Sequence, residues 1–204
     1  VNGGMLYWPD VNEEMLDQNS QAITGCQKMG EYLIILKENS AFAVGYSFDG
    51  EEVYYPVVEI HSTIGCDAPG SVQLVDNKLV FLNTKSGVYI MTSYSNQSES
   101  TVKPLSANVN PLLLGESGLS DAVSIDHDQY YWLCVNGNAY VWDYGSTPYY
   151  NMSDYDKAQK RLAWFRFDNI NPTCMFADSE LYYGSANGIV RFIRQKNDFG
   201  QPYK

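Results

Sequence analysis

The densest group of reactive side chains is Asp126-His127-Asp128, two carboxylates flanking an imidazole. A carboxylate pair can hold a cation or work as acid and base. On a strand, alternate residues share a face, so the two aspartates point together and His127 points away. The group fails as an EF-hand, because the sixth loop position is Tyr131 where glycine is required. A polar turn between strands accounts for it more simply. Ser117, in Gly115-Glu116-Ser117-Gly118, lacks the G-x-S-x-G spacing of a nucleophile elbow and reads as a loop serine. Ser47-Phe48-Asp49-Gly50 faintly matches an Asp-box hairpin, yet it occurs once and without the downstream aromatic spacing. Tyr54-Tyr55, Tyr130-Tyr131-Trp132, Tyr149-Tyr150 and Tyr182-Tyr183 could stack on sugars. Alternation leaves one member of each pair for any face, and packing takes the other. Asp154, Asp156, Lys157 and Lys160 read as the solvated face of a short helix. No residue is assigned to catalysis, to a cofactor or to a metal.

The rare residues exclude further chemistry. His61 and His127 are the only histidines, too few for a three-histidine zinc site. Cys26, Cys66, Cys134 and Cys174 form no CxxC, so zinc ribbons and thioredoxin-type chemistry lose their support. Each lies in or beside an apolar run, which predicts four buried, reduced thiols, with disulfides as the alternative. Asn96-Gln-Ser98 and Asn151-Met-Ser153 match the glycosylation sequon by chance composition. A net charge of −11 disfavours nucleic acid and anionic membranes as partners. No apolar run approaches the ~20 residues of a membrane helix. The first residues, VNGGMLYWPD, carry no signal sequence and no initiating Met, as expected for a piece of a longer chain.

The elements that must position these residues are strands. Tyr, Phe and Trp number 17, 8 and 4 in 204 residues and sit beside β-branched runs, whereas helical periodicity is confined to Asn110–Glu116 and Ser153–Arg161. A unit of short strand, turn, apolar strand, polar turn and second apolar strand recurs four times. Its central strands begin at Leu33, Leu79, Tyr131 and Leu181, separated by 46, 52 and 50 residues. That period predicts an all-β, β-propeller-like domain over residues 1–204, with about four blades of three to four antiparallel strands and one or two very short helices. The runs Leu33-Ile34-Ile35-Leu36 and Leu79-Val80-Phe81-Leu82 suit strands covered on both faces. Asn136-Gly137 and Asn187-Gly188 should supply the positive φ of hairpins, with Ser86-Gly87 a looser version. Val53–Ile60 and Leu162–Phe167 read as outer strands. A twisted β-sandwich shares this spacing and stays open. Trp142-Asp143 does not recur in the other copies, so it is no WD repeat. The orphan strand Gly4–Trp8 is expected to close a four-bladed ring by Met5–Trp8 joining the sheet of Leu181–Arg194.

Four phrases carry a family likeness: Ile23-Thr24-Gly25, Leu33–Glu38, Gly65-Cys66-Asp67-Ala68-Pro69-Gly70-Ser71 and Leu79–Tyr89. With Leu6-Tyr7-Trp8 upstream, although Pro9 stands where Ser is usual, they resemble β-propeller-like structural proteins of bacteriophage tails and necks. The likeness is clearest over residues 5–92, and its motifs are structural. It implies a non-enzymatic scaffold of a phage or prophage virion, made in the bacterial cytoplasm and docking other virion proteins. The alternative is a carbohydrate-binding propeller or glycoside hydrolase acting on surface glycans, with Asp126, Asp128 or Glu31 lining a central channel. No cofactor is implied by either.

Overall fold

A computed structural model describes residues 15–17, 20–93, 101–146 and 162–192, with the backbone of 197–198 and 201–202. The strand expected at Gly4–Trp8, the helix at Ser153–Arg161, Tyr149-Tyr150 and both sequons lie outside the described residues. The chain is all-β. Its first sheet orders β1 (Ile23–Met29), β2 (Tyr32–Lys37), β3 (Ala41–Val44) and β6 (Val57–His61) as an antiparallel meander. A two-residue pair, β4 (Ser47–Phe48) and β5 (Val53–Tyr54), projects between β3 and β6. The outer strand expected at Val53–Ile60 is therefore two elements, parted at Tyr55-Pro56, because β5 pairs back on β4 while β6 pairs with β3. The second sheet runs β7 (Gln73–Val75), β8 (Lys78–Asn83), β9 (Gly87–Met91) and β10 (Val102–Pro104). The third runs β11 (Val123–His127), β12 (Tyr130–Val135), β13 (Asn138–Asp143) and β14 (Trp164–Asp168). The fourth has three strands, β15 (Cys174–Ala177), β16 (Leu181–Ser185) and β17 (Gly188–Arg191). A last hairpin pairs β18 (Asn197–Asp198) with β19 (Gln201–Pro202). The only described α-helix is α1 (Asn110–Leu113), shorter than expected, with Pro111 in its first turn.

Hairpin chemistry follows local backbone needs. Asn136 and Gly137 both take positive φ, at 51° and 77°, as a two-residue type I′ turn requires. At Asn187-Gly188 only the glycine does (φ 129°), because the pair Ser185↔Gly188 puts the turn at residues 186–187. Asp76-Asn77 and Asp128-Gln129 make the same turn as Asn136-Gly137 without glycine. Short polar side chains tolerate the left-handed region best, which suits Asp and Asn better than Gln129.

The sheets stack by alternation. In β8, Leu79 and Phe81 join a core with Ile34, Leu36, Ala41 and Ala43 of the first sheet. Val80 and Leu82 face the other way, into a core with Tyr131, Leu133, Tyr140 and Trp142 of the third. Cys134, Ala139 and Val141 then face Met175 of the fourth. The second and third sheets are thus covered on both faces. Strands β7 and β11 run side by side, as do β11 and β15. None of the described sheets closes on itself, and no described core cluster joins the fourth sheet to the first. The expected ring of four is not seen among the described residues.

Candidate functional site

The strongest motif lies between the first and second sheets. Gly65–Ser71 runs from β6 to β7, ending in a single 3-10 turn at Pro69–Ser71. Toward the first sheet, Cys66 N donates to Lys37 O at 2.9 Å, and the Thr24 hydroxyl donates to Cys66 O. Within the second sheet, Asp67 Oδ1 accepts from Thr84 N at 2.7 Å and Asp67 Oδ2 from Thr84 Oγ1 at 2.5 Å. Leu82 N donates to Ser71 Oγ, which itself donates to Ala68 O. Toward the third sheet, Tyr131 Oη donates to Ser71 O and Ser124 Oγ to Gly70 O, both at 2.8 Å. One heptapeptide therefore fastens three sheets, and its polar atoms are spent in doing so.

A related pin recurs ahead of the first strand of three sheets. Gln21 Oε1 accepts from Asn39 N, in the β2–β3 turn. Asp67 holds Thr84, in the β8–β9 turn. Glu116 accepts from Asn136 Nδ2 and Asn138 Nδ2, at the β12–β13 turn, and from Tyr140 Oη at 2.7 Å. Sequence reasoning missed this pin because Gln, Asp and Glu differ and their spacing to the strand is irregular. Burial alone would raise the Glu116 carboxyl. The donors Asn136, Tyr140 and Asn138, with the Arg166 charge, win and hold it below its ordinary value. Its stabilising contribution is therefore complete above that ordinary value of 4.5 and is lost as pH falls through the lower folded value. Glu116→Gln should cost about 1–2 kcal/mol at pH 7, with the gap to wild type narrowing as pH falls below 4.5. Denaturant melts across that range read both values.

Asp126, His127 and Asp128 form no carboxylate pair and run into the β11–β12 turn, the simpler of the two readings of the sequence. Strand alternation ends at His127, and Asp128 (φ 57°) turns the chain back. Asp126 accepts from Tyr144 Oη at 2.8 Å, and burial holds its carboxyl above the usual range. His127 and Asp128 instead line a cleft of about 530 Å³ between the third and fourth sheets, with Tyr130, Trp132, Glu180 and Phe192. Trp132 lies 5.8 Å from Phe167 in a stacked pair and 5.2 Å from Phe192, so its ring is already flanked. Glu180 pairs with Arg191 at 3.2 Å and accepts from Tyr182 Oη at 3.1 Å. Glu31 is an exposed residue of the β1–β2 turn, away from this cleft.

The remaining candidates are spent locally or solvated. Asp49 Oδ1 accepts from Glu51 N and Glu52 N, which holds its carboxyl below the usual range and closes the β4–β5 turn. Ser117 is exposed, beside Gly118 and Asn136, with neither histidine in the same hollow. Tyr54 and Tyr55 are both exposed, contrary to the expectation of one per face, because Tyr55 falls past the end of β5. Tyr131 and Tyr183 are the packed members of their pairs. His61 Nδ1 accepts from Thr63 N and Ile64 N, a structural cap. Among the described residues no group of three His, Cys, Asp or Glu could hold a metal.

Compared with known proteins, the chain matches no family model and no curated protein.

All four cysteines are free, but only Cys66 and Cys134 are buried. Cys26 and Cys174 are exposed because they sit on outward faces of the two end sheets, which corrects the expectation of four buried thiols. Burial raises the Cys66 thiol and pushes Cys134 up to about 12. A thiol reagent should therefore titrate two groups in the native protein at pH 8 and four after unfolding. Fewer than four after unfolding without reductant would indicate a disulfide.

Proposed function

We propose that the chain is a non-catalytic structural domain of a phage or prophage virion, propeller-like, in which the four meanders are successive blades. The observation that carries the reading is the use made of Gly65–Ser71. The most specific phrase of the resemblance is consumed in fastening three sheets, which is the work of a scaffold. Acidic and hydroxyl side chains that could have served chemistry hold turns and neighbouring sheets. Docking surface is offered by the β4–β5 projection, where Tyr46, Phe48, Tyr54 and Tyr55 are 65%, 56%, 49% and 52% exposed. Exposed aromatic residues of this kind mark protein–protein contacts more often than solvated surface. Removing the coding segment from its genome should stop assembly of infectious particles while genome replication continues. Normal particle yield without it would overturn the proposal.

A second reading, glycan binding, has the cleft in its favour. Tyr130 and Phe192 offer apolar rings beside Asp128 and His127, and Trp132 Nε1 is buried without an acceptor among the described residues. A glycan array and a broad glycosidase screen separate the two, since a scaffold is silent in both.

A further inference from the structure

The end faces of the stack carry apolar side chains as its internal faces do, and parts of both stay open to solvent. On the fourth sheet, Leu181 and Tyr183 are buried on the side toward the third. The opposite side presents Cys174, Phe176, Tyr182, Gly184 and Ile189, an apolar hollow of about 400 Å³. Phe176 and Ile189 are 64% and 83% exposed there. Glu180 borders this face, where it accepts from Tyr182 Oη and pairs with Arg191. At the other end, Ile34 and Leu36 face the second sheet, so by alternation Leu33 and Ile35 face outward, opposite Lys28 and Cys26. Asp17 pairs with Lys37 at 2.5 Å at one corner of that face, yet Leu33 remains 41% exposed.

We infer that two copies of this chain associate head to tail, the outer face of the fourth sheet in each covering the outer face of the first sheet in the other. The argument is continuity with interfaces already present. Sheets one and two, two and three, and three and four all pack in one direction, each placing one face of a meander on the opposite face of the next. Continued past the fourth sheet, that order calls for the outward face of a first sheet. The chain's own first sheet does not supply it among the described residues, and a second copy does. Two such contacts are related by one twofold axis and complete a ring of eight meanders, within the range known for propellers. The pairing also places β15 of one copy beside β1 of the other, as β11 lies beside β15. Their outward cysteines, Cys174 and Cys26, then lie on facing surfaces. The inference rests on reading the meanders as blades and is independent of where the particle is used.

Light scattering on the purified chain should give twice its 23.0 kDa mass, falling to one on dilution. Ile189→Lys or Leu33→Glu should each weaken association roughly 100-fold or more, by burying an unpaired charge. Both positions are open to solvent in the isolated chain, so each variant should keep its melting curve. Mixing the two variants should restore dimers, since one contact of the mixed pair is wild type. A short bismaleimide should join Cys26 of one chain to Cys174 of another. A monomer at high concentration, a dimer that survives Leu33→Glu, or a Cys174–Cys174 link would overturn the inference. Small-angle scattering of a monomer separates the two failures: a radial arc refutes the dimer alone, and a two-layer sandwich refutes the blades as well.

Discussion

Gly65→Ala is expected to lower the melting temperature by about 6–12 °C, the equivalent of about 3 kcal/mol in a chain of this size. A Cβ at Gly65 would stand 2.1 Å from Lys37 O, 2.4 Å from Ser40 N and 2.8 Å from Asn39 N. All three are backbone atoms at the end of β2 and in the turn after it, so relief requires that turn to withdraw from the heptapeptide. That movement also lengthens the bond from Cys66 N to Lys37 O. Gly50→Ala makes the control. Gly50 has φ 103° but nothing within 4 Å of the added carbon, so its cost is backbone strain of about 1–2 kcal/mol without a clash. Equal losses at the two sites would mean that Gly65 is not the close approach it is described to be.

Tyr131→Ala should remove about 3–5 kcal/mol, enough to unfold a marginal domain at moderate temperature. The side chain is fully buried between the second and third sheets and stands edge-on to Trp164, with ring centres 6.5 Å apart. Its hydroxyl is the direct bond from the third sheet to Ser71 of the heptapeptide. Tyr131→Phe keeps the ring and deletes that bond, leaving Ser71 O without this donor, at about 1–3 kcal/mol. Urea melts of the two variants therefore divide the site into its packing and hydrogen-bonding parts. A Phe variant as stable as wild type would show that the bond to Ser71 contributes nothing net.

Much of the strand plan was legible because alternation and turn chemistry act locally. Leu79–Leu82 announced a strand apolar on both faces, and it is covered on both. The period of about 50 residues located four central strands, all of them within one residue of where they begin. What stayed hidden depends on contacts between units. The pins from Gln21, Asp67 and Glu116 share a place in the meander and no residue type, so no spacing rule finds them. The polar turn at Asp126-His127-Asp128 was legible from its residue types, but where strand alternation stops within it was not. The left-handed turn at Asp128-Gln129 carries no glycine to announce it, and it separates the two carboxylates. Exposure of Cys26 and Cys174 was equally invisible, since whether an end sheet is covered is a property of the stack, not of the strand.

The central claim, a structural part of a virion, is tested most directly by quantitative peptide mass spectrometry of purified particles. Peptides of this chain are expected at a fixed small-integer ratio to known tail or neck proteins, retained through density-gradient banding and high salt. Peptides found only in the soluble lysate, with none in banded particles, would contradict it.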